Sequence, residues 1–335
     1  MIFENIMQYV LLIVGFLLLI KGGDWFVDGA VSIAKRLKLP EVLIGATVVS
    51  IGTTLPEVMT SAMGAARGAG EIAYGNAIGS IICNTALIAA ITIAIKPGKV
   101  NRKALVFPVC FFFAAAAYYA VTAYMGGNFT RMTGIILLLG FVFYMLMNVL
   151  SMKKNPASEE LDHADENSNE DKKEGTLVKA ILMLVIGAGL IALGAYLLVE
   201  SATSIAEQLG IPESVIGLTI VAIGTSLPEF VTAITALIKG HGALSLGNVI
   251  GANIFNLVLV SGVAVTINPF SVPENSFLFG QNASFVLDIP VMLAVMGIMT
   301  IPALFRGKLS RWQGILLLGI YLAFMTIQFV FVRTV

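Results

Sequence analysis

The chain has 335 residues, 58% of them apolar and 40 charged, and 12 of those charges fall between Lys153 and Glu174. The other 28 are spread over 313 residues, far below the roughly 25% charge of soluble domains, so the chain reads as an integral membrane protein. Net charge is zero with no basic tract, which leaves no electrostatic footprint for nucleic acid. Apolar runs of about 20 residues point to transmembrane helices and not to the short alternating strands of a barrel. Cys83 and Cys110 lie in apolar runs and offer neither a disulfide framework nor metal-ligand spacing. The first run continues past Lys21 without a basic leader or a small-residue cleavage site, so it is expected to stay as a helix.

In chain order the apolar segments cover residues 6 to 36, 41 to 66, 72 to 95, 104 to 125, 132 to 151, 177 to 206, 213 to 238, 243 to 267, 285 to 305 and 312 to 332. Between the fifth and sixth, residues 152–176 are polar, carry both charge signs and contain no aromatic residue, which reads as a solvated linker. The halves on either side are related. At an offset of 172, residues 40–84 match residues 212–256 without a gap, with 21 identities in 45. A looser echo links the stretch from Arg131 to Gly140 with that from Arg311 to Gly319. The expected organisation is therefore a first repeat over 1–151, the linker over 152–176 and a second repeat over 177–335. Five spans per repeat make the second copy enter from the opposite face, giving an all-α membrane protein of about ten helices in two inverted five-helix repeats.

Charge placement bears on orientation. With the N-terminus outside, 16 Lys and Arg residues fall on cytoplasmic loops and the linker, against Arg67, Arg131 and Arg333 outside. The positive-inside rule then places both termini outside and the linker in the cytoplasm.

Glu57 and Glu229 occupy equivalent positions in the middle of apolar segments. A carboxylate there costs several kcal/mol, order of magnitude, unless something compensates its charge. No Lys, Arg or His occurs at comparable depth in the neighbouring spans, so a cation or protons are expected to do so. Pro56 and Pro228 precede the two carboxylates and lack the donor that would bind the carbonyls of Gly52 and Gly224. Interrupted helices with freed carbonyls coordinate cations in transporters. Thr53 and Thr225 share a face with the glutamates, and Thr54 and Ser226 add hydroxyls. In the third and eighth segments Asn76, Ser80 and Asn84 recur every four residues, as do Asn248, Ala252 and Asn256, with Gly75, Gly79, Gly247 and Gly251 interleaved to let backbones approach. The ligand set is all oxygen, which suits Ca²⁺ better than Mg²⁺ or Zn²⁺. Two carboxylates are balanced by one Ca²⁺, two Na⁺ or two protons, and competition among such ions is the minimal chemistry of an antiporter.

GTTLPE and GTSLPE, each followed by GN-x-x-G-x-x-I-x-N, resemble the two alpha-repeats of the cation/calcium exchanger superfamily, most of all its prokaryotic sodium/calcium exchangers. The resemblance implies ten helices and alternating access, with the first and sixth helices sliding against a core that holds the ions. It implies calcium ligation by Glu57, Glu229 and the carbonyls of Thr53 and Thr225. Sodium would use the carbonyls of Ser50 and Ala222, the hydroxyls of Thr53, Thr54, Ser80, Thr225 and Ser226, and both glutamates. Two positions depart from some relatives, Ala252 where a serine would match Ser80 and Asn256 where an aspartate occurs. Proton coupling and a potassium requirement therefore stay open. No cofactor and no obligate protein partner is implied; the lipid bilayer of the cell (inner) membrane and the transported ions are the expected partners.

Asn84 and Asn256 are expected to line the site, while for Asn76 and Asn248 interhelical hydrogen bonding stands beside ligation. Asp24, Asp28 and Glu200 line the ion path or simply reach water. Glu41 and Glu213 read as dipole-favoured helix starts. An intramembrane enzyme lacks a candidate constellation, since His163 and His241 are the only histidines and no metalloprotease motif occurs. A channel also uses broken helices, but inverted halves within one chain favour alternating access.

Overall fold

The computed structural model describes residues 2–37, 39–154, 177–208, 222–274 and 276–334. The architecture is all-α with five very short strands among the described residues. The helices are α1 Ile2–Leu37, α2 Glu41–Ala66, α3 Gly70–Ile95, α4 Arg102–Gly126, α5 Arg131–Lys154, α6 Leu177–Gln208, α7 Leu227–Ile238, α8 Gly242–Ile267, α9 Ser284–Arg306 and α10 Arg311–Val330. The single turn Ala222–Thr225 precedes α7. Among the described residues nine helices are long and apolar enough to cross a membrane, and α7 is a shorter apolar helix. Helix ends follow local chemistry. Asn101 caps α4 by accepting from the Ala104 amide, Ser310 and Gln313 form a capping box on α10, and Gly127 and Gly307 take left-handed φ to close α4 and α9. Leucines, isoleucines and phenylalanines stand exposed along α5, α6 and α10, as lipid-facing residues must.

One expectation about helix shape needs correction. Pro56 does not interrupt α2, which is regular α-helix from Ser50 to Ala66 with the proline inside it. One missing donor removes a single ladder bond, and the irregularity instead lies upstream as a wide π-helical turn over Gly45–Val49. The second repeat does break, at Ser226, so that Pro228 and Glu229 fall in the first turn of α7. Further π turns begin at Asn84 in α3 and at Asn256 in α8, the same position in each repeat. The two prolines thus sit in different backbones despite matching sequence. The segment expected over 213 to 238 is described only from Ala222 onward, and Glu213 and most of the linker lie outside the described residues.

Packing separates two compact units, Met1–Thr53 with Met145–Asn248, and Thr54–Tyr144 with Val249–Val335. In the first unit α1 and α6 run together with glycines at a seven-residue period. A Cβ on Gly15 would come 2.9 Å from the Gly194 carbonyl, one on Gly22 would come 2.8 Å from the Ile191 amide, and one on Gly29 would come 2.6 Å from the Leu184 amide. Backbones in contact at that spacing fix the register of the pair. In the same unit α2 crosses the start of α8 at Gly45 and Gly247, where an added Cβ would meet the carbonyls of Leu244 and Val42. In the second unit α10 packs on the end of α3, with Gly314 against Ala90 and Ala94. Tyr119, Phe129 and Phe270 pack ring against tilted ring at the short β1–β2 pair, Asn128–Phe129 with Phe270–Ser271. The notion that both Gly-x-x-x-Gly pairs bring backbones together holds for Gly247 but not for Gly75 and Gly79, whose Cβ positions are open.

Gly187→Ala should lower stability by about 1–3 kcal/mol, because its methyl would lie 2.5 Å from the Phe26 amide with only backbone to yield. Gly189→Ala, two residues on with nothing in reach, should be neutral or stabilising. Thermal melts of the two variants in detergent check the pair; equal effects would contradict the contact.

Candidate ion-binding site

The residues expected at the site divide between the two units, and each group has its own internal geometry. In the first unit, Ser50 follows the π turn of α2 and donates to the first carbonyl of that turn, Gly45, at 2.7 Å. The same hydroxyl lies 3.0 Å from the Asn248 carbonyl, and Thr53 Oγ1 donates to Asn248 Oδ1 at 3.2 Å. Asn248 therefore ties α2 to α8, and its Nδ2 is buried without a hydrogen-bond partner among the described residues. The Gly45–Gly247 crossing puts these groups within reach of one another, since any side chain there would hold the helices apart. Glu229 is fully buried in the first turn of α7, at the end where the backbone dipole is positive. Ser226, just before that helix, and Thr232, one turn after Glu229, have buried hydroxyls with no partner among the described residues. Thr225 is half-buried. Of Ala222, only the backbone is described.

In the second unit Glu57 is fully buried, as are Thr54 and Asn84, and Ser80 is 5% exposed. Asn76 Nδ2 donates to Ser61 Oγ at 2.8 Å and to the Glu57 carbonyl at 3.1 Å, so both amide hydrogens go to α2 and bind the helix that carries the carboxylate. Asn84 and Asn256 differ in kind. Each is fully buried, and neither amide atom of either side chain has a hydrogen-bond partner among the described residues. Each also opens a π turn, and in α8 the Ser261 hydroxyl donates to the Asn256 carbonyl at 3.1 Å. Buried amides are costly when unpaired, and π turns concentrate at functional positions. Nearby, Asn253 donates to Thr85 Oγ1 at 2.7 Å.

The candidate path residues have other neighbours. Lys239 bridges Asp24 at 3.2 Å and Asp28 at 2.8 Å, the Asp24 and Asp28 side chains being 39% and 48% exposed. Glu200 is exposed on α6. Glu41 meets His241 at 2.8 Å. Sequence reading did not pair Lys239 with the aspartates or Ser61 with Asn76, and it passed over Thr232, although its place one turn after Glu229 on a helix was a usable signal.

The fold and these side chains can be set against known proteins. The family model described as sodium/calcium exchanger protein matches residues 7–150 and 179–330. The sodium/calcium exchanger MaX1 of Methanosarcina acetivorans is 32% identical over 96% of this chain and 98% of its own. The membrane protein MJ0091 of Methanocaldococcus jannaschii is 36% identical over 92% of this chain and 94% of its own. Among solved structures, the sodium-calcium exchanger NCX_Mj superposes with a TM-score of 0.79 at 32% identity, covering 95% of this chain and 98% of that one. Matches that run through both repeats and nearly the whole of each relative show that the chain belongs to the sodium/calcium exchanger family.

Proposed function

We propose that this protein is a secondary antiporter that exchanges calcium for sodium by alternating access across the cell (inner) membrane. Both termini face outside and residues 152–176 face the cytoplasm, with 1–151 and 177–335 acting as the inverted halves; the 16-to-3 bias of basic residues supports that orientation. The relatives named as sodium/calcium exchangers support the choice of ions. One observation carries the reading: each repeat buries one carboxylate and one amide at the same two positions, Glu57 with Asn84 and Glu229 with Asn256.

In this reading calcium is held by Glu57, Glu229 and the carbonyls of Thr53 and Thr225. Sodium uses the same carboxylates with the carbonyls of Ser50 and Ala222 and the hydroxyls of Thr53, Thr54, Ser80, Thr225 and Ser226. Asn84 and Asn256 line the site, and their amide oxygens suit hard cations. Asn76 and Asn248 act chiefly as braces, since their bonds to Ser61, Ser50 and Thr53 are already made. Two negative charges are balanced by one Ca²⁺ or by two Na⁺, so the two loads exclude each other on charge alone. Counterions exchanged at one site make a transporter, and no bond-making step is required of these side chains.

Glu57→Gln and Glu229→Gln each leave one carboxylate against a divalent ion. Calcium uptake into proteoliposomes should fall roughly a hundredfold or more, on the scale of the about 3–5 kcal/mol that an uncompensated buried charge costs. Near-normal uptake by either variant would refute the assignment.

Braces and ligands should separate experimentally. Asn76→Ala strands the Ser61 hydroxyl and should cost about 1–3 kcal/mol of stability, whereas Asn84→Ala and Asn256→Ala give up no side-chain hydrogen bond to the described residues and should mainly weaken calcium-dependent stabilisation in thermal melts. The reverse ordering would contradict the division.

The second repeat departs from the first at fully buried Ala252. Ala252→Ser adds an oxygen without charge and should raise apparent sodium affinity while leaving calcium affinity little changed. Asn256→Asp adds a third negative charge, which one bound Ca²⁺ does not cancel, and should steepen the pH dependence of calcium transport as a proton is drawn in. Unchanged behaviour in both would mean that this face of α8 does not meet the ions.

A further inference from the structure

The second unit contains a pocket of about 270 Å³ that belongs to neither group of residues described above. Gly75 and Gly79 of α3 form one wall, Ser284 and Asp288 of α9 another, and Gln328 of α10 closes it, with Tyr74 at its side. It lies on a different face of α3 from Asn76, Ser80 and Asn84. The two glycines explain why there is space: a Cβ on either would meet nothing within 4 Å, whereas Gly247, the repeat mate of Gly75, is pressed against Val42. The same motif closes a helix crossing in one repeat and opens a cavity in the other.

The pocket wall is polar and carries a charge. Asp288 Oδ1 accepts from Gln328 Nε2 at 2.6 Å, and beside it stand the buried Ser284 and Tyr74, whose hydroxyl is buried without a hydrogen-bond partner among the described residues. Among the described residues no Lys, Arg or His lies within salt-bridge distance of Asp288. A half-buried carboxylate on a membrane-spanning helix without a protein cation calls for a cation from elsewhere. The remaining donors are hydroxyl and amide oxygens, which select hard alkali or alkaline-earth ions. Charge then discriminates, because Asp288 supplies one negative charge inside the pocket. Glu71 also lines the pocket, but it is exposed and has an interaction of its own, which leaves Asp288 as the pocket's one partly buried carboxylate. A volume of 270 Å³ exceeds a bare ion and accommodates one with several waters, each occupying about 30 Å³ in the liquid.

We infer that Asp288, Ser284, Tyr74 and Gln328 form a peripheral site for a partly hydrated monovalent cation, sodium in the first instance, distinct from the site built on Glu57 and Glu229. The inference does not depend on the transport reading.

The test uses the full-length protein carrying Glu57→Gln and Glu229→Gln, so that the central carboxylates do not contribute. Sodium is titrated and followed by sodium NMR line broadening, with choline holding ionic strength constant. The expected result is one saturable site, weakened at least tenfold by adding Asp288→Asn and likewise by adding Gly79→Leu, which fills the pocket without touching its charge. Gel filtration verifies the fold of each variant, and the two substitutions fail independently. Absence of saturable binding in the background protein, or binding unaffected by both substitutions, would overturn the proposal. Displacement of sodium by calcium at equal or lower concentration would overturn the monovalent assignment.

Discussion

A polar atom in the membrane interior has no water to fall back on, so it must be satisfied by the protein or by what the protein binds. That constraint sorts the buried polar residues of this chain. Ser50, Thr53 and Asn76 spend their hydrogens on backbone carbonyls and on one another's helices. Asn84 and Asn256 spend none among the described residues, although both are fully buried. The first set holds helices in place. The second set, like the two fully buried glutamates of the same repeats, is what the proposed function assigns to cations.

Holding such groups in fixed geometry falls to close backbone contact. Glycines every seven residues seat α1 on α6, and Gly45 with Gly247 brings α2 against α8 beside Ser50, Thr53 and Asn248. Where apolar side chains meet apolar lipid, burial contributes little to helix association, and short-range packing and interhelical hydrogen bonds carry it. A methyl group at these crossings would therefore disturb both the packing and the polar groups that depend on it.

Duplication did not produce identical halves. Glu57 lies within an unbroken helical stretch, while Glu229 starts a helix after a break at Ser226. Glu229 thus faces the positive end of a helix dipole, and Glu57 has a proline and a freed carbonyl in its own turn. Equivalent side chains therefore stand in unequal backbones.

Much of this was legible from residue order. Apolar run lengths located the helices to within a few residues except the seventh, whose expected start lies outside the described residues; the 172-residue offset exposed the repeats, and the paired carboxylates stood out because charge is so rare elsewhere. What escaped was what sequence spacing does not encode. The break at Ser226 and the continuity through Pro56 arise in near-identical motifs, so the motif alone does not distinguish them. Lys239 meets Asp24 and Asp28 across more than 200 positions. The openness beside Gly75 and Gly79 depends on which helix stands opposite, as the contrast with Gly247 makes plain.

The central claim is that calcium and sodium replace each other on shared carboxylates, and ion-driven flux addresses it directly. Calcium uptake should be measured in proteoliposomes loaded with sodium and diluted into sodium-free medium, against vesicles with no sodium gradient and vesicles given only a pH gradient. The account predicts uptake that requires the opposed sodium gradient and ceases when that gradient is abolished. Uptake of equal rate without sodium, or driven as well by the pH gradient alone, would contradict it.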